Sequence, residues 1–310
     1  MAMLDELQTS IARVAQAAGP AVVRVGGGWR GGSGVVVASG YVLTNAHNLR
    51  SDSPTVTFAD GRRGEARVHG LDVDGDLAIL ALDTAGVTPL EWSEELPGLG
   101  SPVLAMALNG SSPRVTFGTI SSVAQGFRGP RGRPISGGLE HTAPLAPGSS
   151  GGPLLDLTGR LAGINTNRLG GGFYVALPAD ESLRQRVAAL QRGESVERPR
   201  LGVAIAPERA ARKLRRAVGL PERDGLLVRA VEEGSPAERA GIEEGDLLVA
   251  AAGRPLATAD ELYAALGGLQ SGAGLEIVVV RGTSERTVEV SFADEATDEP
   301  AAEADSKPLH

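Results

Sequence analysis

Ser150 sits among glycines in Pro147-Gly148-Ser149-Ser150-Gly151-Gly152-Pro153-Leu154, while Thr44-Asn45-Ala46-His47 and Asp76-Leu77-Ala78-Ile79-Leu80 lie upstream. A serine hydroxyl attacks a carbonyl only when a neighbouring base takes its proton and a third group orients that base. His47, Asp76 and Ser150, met in that chain order and each in its own local context, form a candidate triad for acyl transfer. The glycines allow a turn tight enough for the Gly148 and Ser150 amides to converge on one spot, where an oxyanion would form. Asp72 and Asp74 rival Asp76, but only Asp76 abuts the apolar run Leu77–Leu82, which can bury it toward a cleft. Read alone, Ser150 is a turn residue and His47 a hydrogen-bonded histidine at a strand end; their combination carries the catalytic reading. His141, close to Ser150 in sequence, is read as structural.

Composition removes most other chemistries. Cysteine is absent, so thiol nucleophiles, thiolate metal sites and disulfides are excluded. Lys213 and Lys307 are the only lysines and lie far along the chain from Ser150, which disfavours a Ser-Lys dyad. Of four histidines, His310 is terminal and His69 lies in the alternating stretch Ala66-Arg67-Val68-His69, so no metal site and no cofactor are expected. A net charge of −8 argues against general nucleic-acid binding. The segment Gly126-Phe127-Arg128-Gly129-Pro130-Arg131-Gly132-Arg133 looks like an arginine–glycine nucleic-acid motif, yet it holds one aromatic and reads better as a surface loop between strands. No apolar run is long enough for a transmembrane helix, and the N-terminus lacks the features of an export signal, which favours the cytoplasm if the chain is full length.

The chemistry-bearing residues need elements to hold them. Apolar residues at Leu4, Leu7, Ile11, Val14 and Ala18 predict a helix over 4–18 that Gly19-Pro20 ends. Short apolar runs broken by Gly, Asn, Asp and Pro then predict many strands to about residue 176, a barrel or sandwich pattern. A helix follows over 180–192, with Leu183, Val187 and Leu190 on one face. Residues 1–192 are read as the first domain, the polar stretch 193–199 as a linker and 200–293 as a second, mixed α and β domain. Residues 294–310, rich in Asp and Glu, are expected to be a disordered acidic tail.

Five segments, Gly32-Ser33-Gly34-Val35, Thr44-Asn45-Ala46-His47, Asp76-Leu77-Ala78, Thr116-Phe117-Gly118-Thr119-Ile120 and the Ser150 turn, together resemble the HtrA family of trypsin-like serine proteases. Gly163-Ile164-Asn165-Thr166 and Phe173-Tyr174-Val175-Ala176-Leu177-Pro178 extend the match. Arg200-Leu201-Gly202-Val203, Gly225-Leu226-Leu227-Val228, Gly234-Ser235-Pro236-Ala237 and Gly245-Asp246-Leu247-Leu248 resemble that family's PDZ domain. The resemblance implies a mainly β chain: two six-stranded antiparallel barrels with the site between them, then an α+β PDZ domain. It makes Ser150 the nucleophile, His47 the general base and then acid, and Asp76 the orienting carboxylate. It assigns the oxyanion hole to the amides of Gly148, Ser149 and Ser150, and the capture of a peptide C-terminus to those of Leu201, Gly202 and Val203. The implied activity is ATP-independent endoproteolysis of unfolded, misfolded or C-terminally exposed proteins; the alternative is an inactive PDZ-bearing chaperone or scaffold. A homotrimer and an extracytoplasmic location are also implied.

The chain departs from the family pattern at two places that matter. Ser149 replaces the usual asparagine before the nucleophile, a change that keeps the backbone donor. His141-Thr142-Ala143-Pro144-Leu145 replaces a Thr-Asp-Ala-Ala-Ile run that lines the pocket for the residue before the scissile bond. With that aspartate gone, and with Pro144 and Leu145 in the wall, a small apolar residue (Val, Ala or Leu) is expected there.

Overall fold

The computed structural model describes residues 2–27, 31–129, 134–195, 199–217, 219–220, 223–267, 269 and 273–292. The expected acidic tail and Pro130–Arg133 of the arginine-rich segment lie outside them. The chain separates into two compact units, Met1–Glu197 and Arg198–His310.

The first unit opens with helix α1 (Ala2–Ala18), whose Val14 and Ala18 are buried against the core with Ile11 packed beside them. Seven strands follow: β1 (Val22–Val25), β2 (Gly32–Ala38), β3 (Tyr41–Thr44), β4 (Thr55–Thr57), β5 (Arg63–Glu65), β6 (Arg67–Asp72) and β7 (Leu77–Ala81). They pair in the order β5-β4-β1-β2-β3-β7-β6. The two edge strands of this sheet, β5 and β6, are separated in the chain by Ala66 alone. The sheet must therefore curl until its edges meet, and counting β5–β6 as one bent strand gives six. Ala66 is buried and donates its amide to the Pro54 carbonyl at 3.0 Å, which pins the bend.

Six more strands, β8 (Pro102–Asn109), β9 (Ser112–Arg128), β10 (Pro134–His141), β11 (Pro153–Leu155), β12 (Leu161–Gly170) and β13 (Phe173–Pro178), form a closed barrel in the order β10-β13-β12-β11-β8-β9. The arms of the β9–β10 hairpin run further than the sequence suggests: Arg128 pairs with Pro134 and Phe127 with Ile135, so Gly126–Arg128 is strand rather than loop. Helix α2 (Glu181–Gln191) closes the unit. Asp180 caps it by accepting from the Leu183 amide at 2.8 Å, and Gly193 follows its end at φ +82°. Its buried face is Leu183, Val187 and Leu190. On the same helix Arg186 donates to buried Asp72 at 2.7 and 3.0 Å and to the Gly75 carbonyl, fastening the turn that leads to Asp76.

The second unit contains β14 (Val203–Ile205), α3 (Glu208–Ala217), β15 (Leu226–Val231), α4 (Pro236–Arg239), β16 (Leu247–Ala251), β17 (Arg254–Pro255), α5 (Ala259–Gly267), β18 (Gly274–Arg281) and β19 (Ser284–Ser291). The sheet runs β14-β15-β16-β18-β19, with β17 on β16. Leu226, Val228, Leu248 and Ile277 pack under α5 residues Leu262 and Leu266. The expected strand from Leu201 begins two residues later, because the Leu201 and Gly202 carbonyls are taken by the Ala237 and Glu232 amides. Gly202 has φ +79°, and a Cβ there would meet the Ser235 Cβ at 2.2 Å.

Candidate active site

His47 lies in a short helical turn, Ala46–Asn48, that leaves β3; Asp76 immediately precedes β7, the strand paired with β3. Adjacent strands thus bring the two side chains together. His47 Nδ1 is 2.8 Å from Asp76 Oδ2 and 2.9 Å from Oδ1, and the His47 amide donates to Oδ1 at 3.1 Å. Asp76 is 2 % exposed whereas His47 is 34 % exposed, so the carboxylate is sealed and the ring reaches solvent. An acceptor at Nδ1 places the ring proton there and leaves the Nε2 lone pair to act as a base. Asp76 also has φ +55°, a left-handed conformation that Asp tolerates better than most residues. Asn45 holds it by donating from Nδ2 to the Asp76 carbonyl at 2.9 Å.

Thr166, on β12, connects the carboxylate to the serine. Its hydroxyl donates to Asp76 Oδ2 at 2.7 Å, and its carbonyl accepts from Ser150 Oγ at 3.1 Å. The structure therefore brings His47 and Asp76 into direct contact and links Ser150 to them through Thr166. The Ser150 hydroxyl is directed to that carbonyl rather than to His47. Catalytic hydrogen bonds without substrate are often unformed in this way. Thr166 was quoted in the sequence only as part of a motif, and its role was missed.

The turn carrying Ser150 is held from three sides. The Ser33 amide and Asn48 Nδ2 both donate to the Ser150 carbonyl, at 2.8 and 2.9 Å, while Ser33 Oγ donates to the Gly148 carbonyl at 2.8 Å. From the third side, the Gly151 amide donates to the Asn165 carbonyl and Asn165 Nδ2 donates to the Gly152 and Pro153 carbonyls. Gly151 has φ +86°, and a Cβ on it would fall 2.2 Å from the Ser33 carbonyl oxygen, so no larger residue fits. One oxyanion assignment needs correction: the Ser149 amide donates to the Ala146 carbonyl at 3.2 Å, closing the turn, and is not directed at substrate. The Gly148 and Ser150 amides donate to no backbone carbonyl of the described residues outside regular helices and strands, which leaves them as the candidate donors.

A pocket of about 240 Å³ opens beside Ser150, lined by residues 145–150, Thr166, Arg168 and Tyr174. Leu145 is in its wall as expected; Pro144 is not. Ala143 is buried, Pro144 exposed and Leu145 partly buried. Arg168 and Tyr174 went unnoticed in the sequence as pocket residues. They are cross-strand partners on β12 and β13, and the pairing is invisible without the register.

His141 pairs with Tyr174 on the next strand and stacks on its ring at 5.9 Å between centroids. It is fully buried and its Nε2 lies 3.0 Å from Asn165 Oδ1. Because Asn165 Nδ2 serves two carbonyls, that oxygen must accept, so Nε2 carries the proton. His141 Nδ1 has no partner. Burial pushes the pKa down from 6.5 to about 4, against the smaller upward pull of the Asn165 bond. His141 is thus neutral and a support of the nucleophile turn. His69, elsewhere, lies 2.9 Å from the Gln191 carbonyl. Among the described residues no cluster of His, Cys, Asp or Glu could hold a metal ion, and no helix is long and apolar enough to cross a membrane.

In the second unit, Leu201, Gly202 and Val203 lead into β14, which is the edge of its sheet. An extended peptide can add to such an edge.

Residues 32–164 match the model of the trypsin-like peptidase domain and residues 199–292 that of the PDZ domain. A putative serine protease HhoA of Synechocystis is 32% identical over 286 residues, covering 84% of this chain and 70% of that protein. A probable periplasmic serine endoprotease DegP-like of Pseudomonas fluorescens is 30% identical over 275 residues, 84% of this chain but 55% of that protein. The chain thus spans little more than half the length of the DegP-like relatives it matches. Among solved structures, the serine endoprotease from Yersinia pestis is 26% identical with a TM-score of 0.61, covering 91% of this chain and 96% of that one. The HtrA-type protease AlgW, solved with a decapeptide, is 25% identical with a TM-score of 0.62, covering 91% and 97%. With both domains matched in sequence and in fold, this chain belongs to the HtrA family of trypsin-like serine proteases carrying a PDZ domain.

Proposed function

We propose that the chain is an ATP-independent serine endopeptidase that cleaves unfolded or C-terminally exposed proteins through an acyl-enzyme. The observation that carries this is the buried Asp76 carboxylate, which accepts from His47 on one side and from Thr166, the Ser150 partner, on the other. In acylation Ser150 Oγ attacks the scissile carbonyl while His47 Nε2 takes its proton. The Gly148 and Ser150 amides hold the resulting oxyanion, and His47 returns the proton to the leaving amine. Water then attacks the acyl group by the same route, with His47 again the base, and frees Ser150. The PDZ unit would hold a substrate's C-terminus against the Leu201–Val203 segment and add its last residues to β14.

Digestion of casein by the chain and by Ser150→Ala tests the reading. The wild type should degrade it and the variant should not. A fluorophosphonate probe should label the wild type alone, on Ser150 by mass mapping. Equal turnover by both proteins would refute the mechanism. The Ser150 hydroxyl directed to the Thr166 carbonyl favours a second reading, a scaffold that binds unfolded protein without cutting it; absence of labelling in the wild type would decide for it. Assembly as a homotrimer and an extracytoplasmic location belong to the same proposal, following the family resemblance and the periplasmic relatives. Light scattering and fractionation of the native host test them.

A further inference from the structure

His47 and Asp76 come from the first sheet and Ser150 from the closed barrel, so the placement of nucleophile against base depends on what ties the two together. The residue next to His47 makes such a tie. Asn48 ends the short helical turn that carries His47, and its amide donates to the Asn45 carbonyl at 3.1 Å. Its side chain is buried, and Nδ2 donates to the Ser150 carbonyl at 2.9 Å and to Thr44 Oγ1 at 3.0 Å. The Thr44 hydroxyl gives its own proton to the Ser33 carbonyl at 2.7 Å, so toward Asn48 it can only accept. Both neighbours of Nδ2 are therefore acceptors, which fixes the amide with its nitrogen toward Ser150. The space is shaped to this group. A Cβ on Gly32 would fall inside the Asn48 amide, and one on Gly151 would come within 2.9 Å of Nδ2.

From this arrangement we infer that Asn48 is a positioning residue for the reaction, one that sets the nucleophile against the base that precedes it in the chain. The inference rests on the protease reading. The Ser150 carbonyl accepts from the Ser33 amide and from Asn48 Nδ2. With one donor the Ser150–Gly151 peptide plane could still tilt about that bond; a second donor from another element stops the tilt. Holding this plane holds the Cα from which Oγ projects. Because Asn48 follows His47 within one hydrogen-bonded turn, any shift of the base carries the donor with it, and the serine follows. Placement errors well below the length of a bond already cost rate at a reacting centre. The Nδ2 bonds reach the backbone of the nucleophile and Thr44, not the His47–Asp76 pair. Asn48 should therefore govern how fast Ser150 is acylated and leave the proton affinity of His47 alone.

Two substitutions test the inference. Asn48→Asp keeps the shape and removes the donor at neutral pH; Asn48→Leu removes it without adding a charge. Folded protein is counted by near-ultraviolet circular dichroism. Per folded molecule, kcat on fluorescent casein and the rate of fluorophosphonate labelling should both fall by about 10–100-fold, the effect of losing a buried hydrogen bond, with KM unchanged. The acid midpoint of the kcat/KM profile, which reports His47, should stay at its wild-type value. Thr44→Val frees the amide without deleting it and should lower kcat in the same direction; combined with Asn48→Leu it should lower kcat no further. Should neither Asn48 variant fold, Thr44→Val decides by the same split of kcat from KM. A kcat per folded molecule equal to wild type, a loss confined to KM or to stability, or a shifted acid midpoint overturns the inference. Labelling of the wild type separates the two failures. A wild type that labels no faster than its Asn48 variants removes only the role of Asn48, whereas a wild type that neither labels nor cleaves removes the protease reading with it.

Discussion

Acidification should destabilise the first unit through His141. The ring is sealed in the protein, with Nδ1 facing no acceptor, and its pKa is pushed down from 6.5 to about 4 by burial. In the unfolded chain it would titrate near its ordinary value. Above about pH 6.5 the ring is neutral in both states and costs nothing. Between 6.5 and 4 the unfolded chain binds a proton that the folded chain cannot, so stability falls as the pH is lowered; below 4 the loss is complete. The gap of about 2.5 units corresponds to about 3 kcal/mol. Urea melts at several pH values between 4 and 7.5, on wild type and His141→Gln, measure it. Trp92 packs against the core of the first unit and the second unit's stretch of chain holds no tryptophan, so the fluorescence change follows the first unit. The difference in unfolding free energy between the two proteins should change by about 3 kcal/mol across this range, with the variant less sensitive to acid. Parallel pH curves would refute the reasoning, because every other titrating group is common to both.

Thr166→Val removes a hydrogen bond to a buried carboxylate, worth about 1.5–3 kcal/mol. kcat should fall by about 10–100-fold with little change in KM, and Thr166→Ser should restore most of it in a steady-state assay. Gly151→Ala imposes a Cβ on a left-handed turn against the Ser33 carbonyl, so fluorophosphonate labelling should be lost and the thermal midpoint should drop. Arg186→Met leaves the carboxylate of Asp72 buried without its cation. The first unit should lose about 3 kcal/mol in urea melts, and hydrolysis should slow because the 72–76 turn delivers Asp76. If Arg186→Met unfolds like wild type, the ion pair has no such role.

Features whose signature is local were legible in the sequence. The glycine-rich turn announces itself because only glycine supports the backbone at 148 and 151, and α2 because Asp180 and Gly193 flank an apolar stripe. Arg168, Tyr174 and Thr166 were not legible as parts of one site. Each is an ordinary strand residue, and their convergence depends on β12 pairing with β13 and standing beside the β3–β7 pair. Leu145 lines the pocket while its neighbour Pro144 does not, a distinction between adjacent residues that the sequence does not state. The assignment of three oxyanion amides failed at Ser149 because a motif names a turn without saying which of its amides the turn consumes.

The single residue between β5 and β6 has a consequence for how this architecture can change. Loops that hang from the sheet can lengthen freely, whereas added residues at Ala66 would act like slack in a drawstring. β6 would slide along β7, and Asp72 at its end would be drawn away from Arg186, while β7 keeps its own pairing with β3. Variation in length is therefore costly at a place remote from the candidate site, and a duplication of Ala66 would loosen the 72–76 turn without altering one residue that lines the groove.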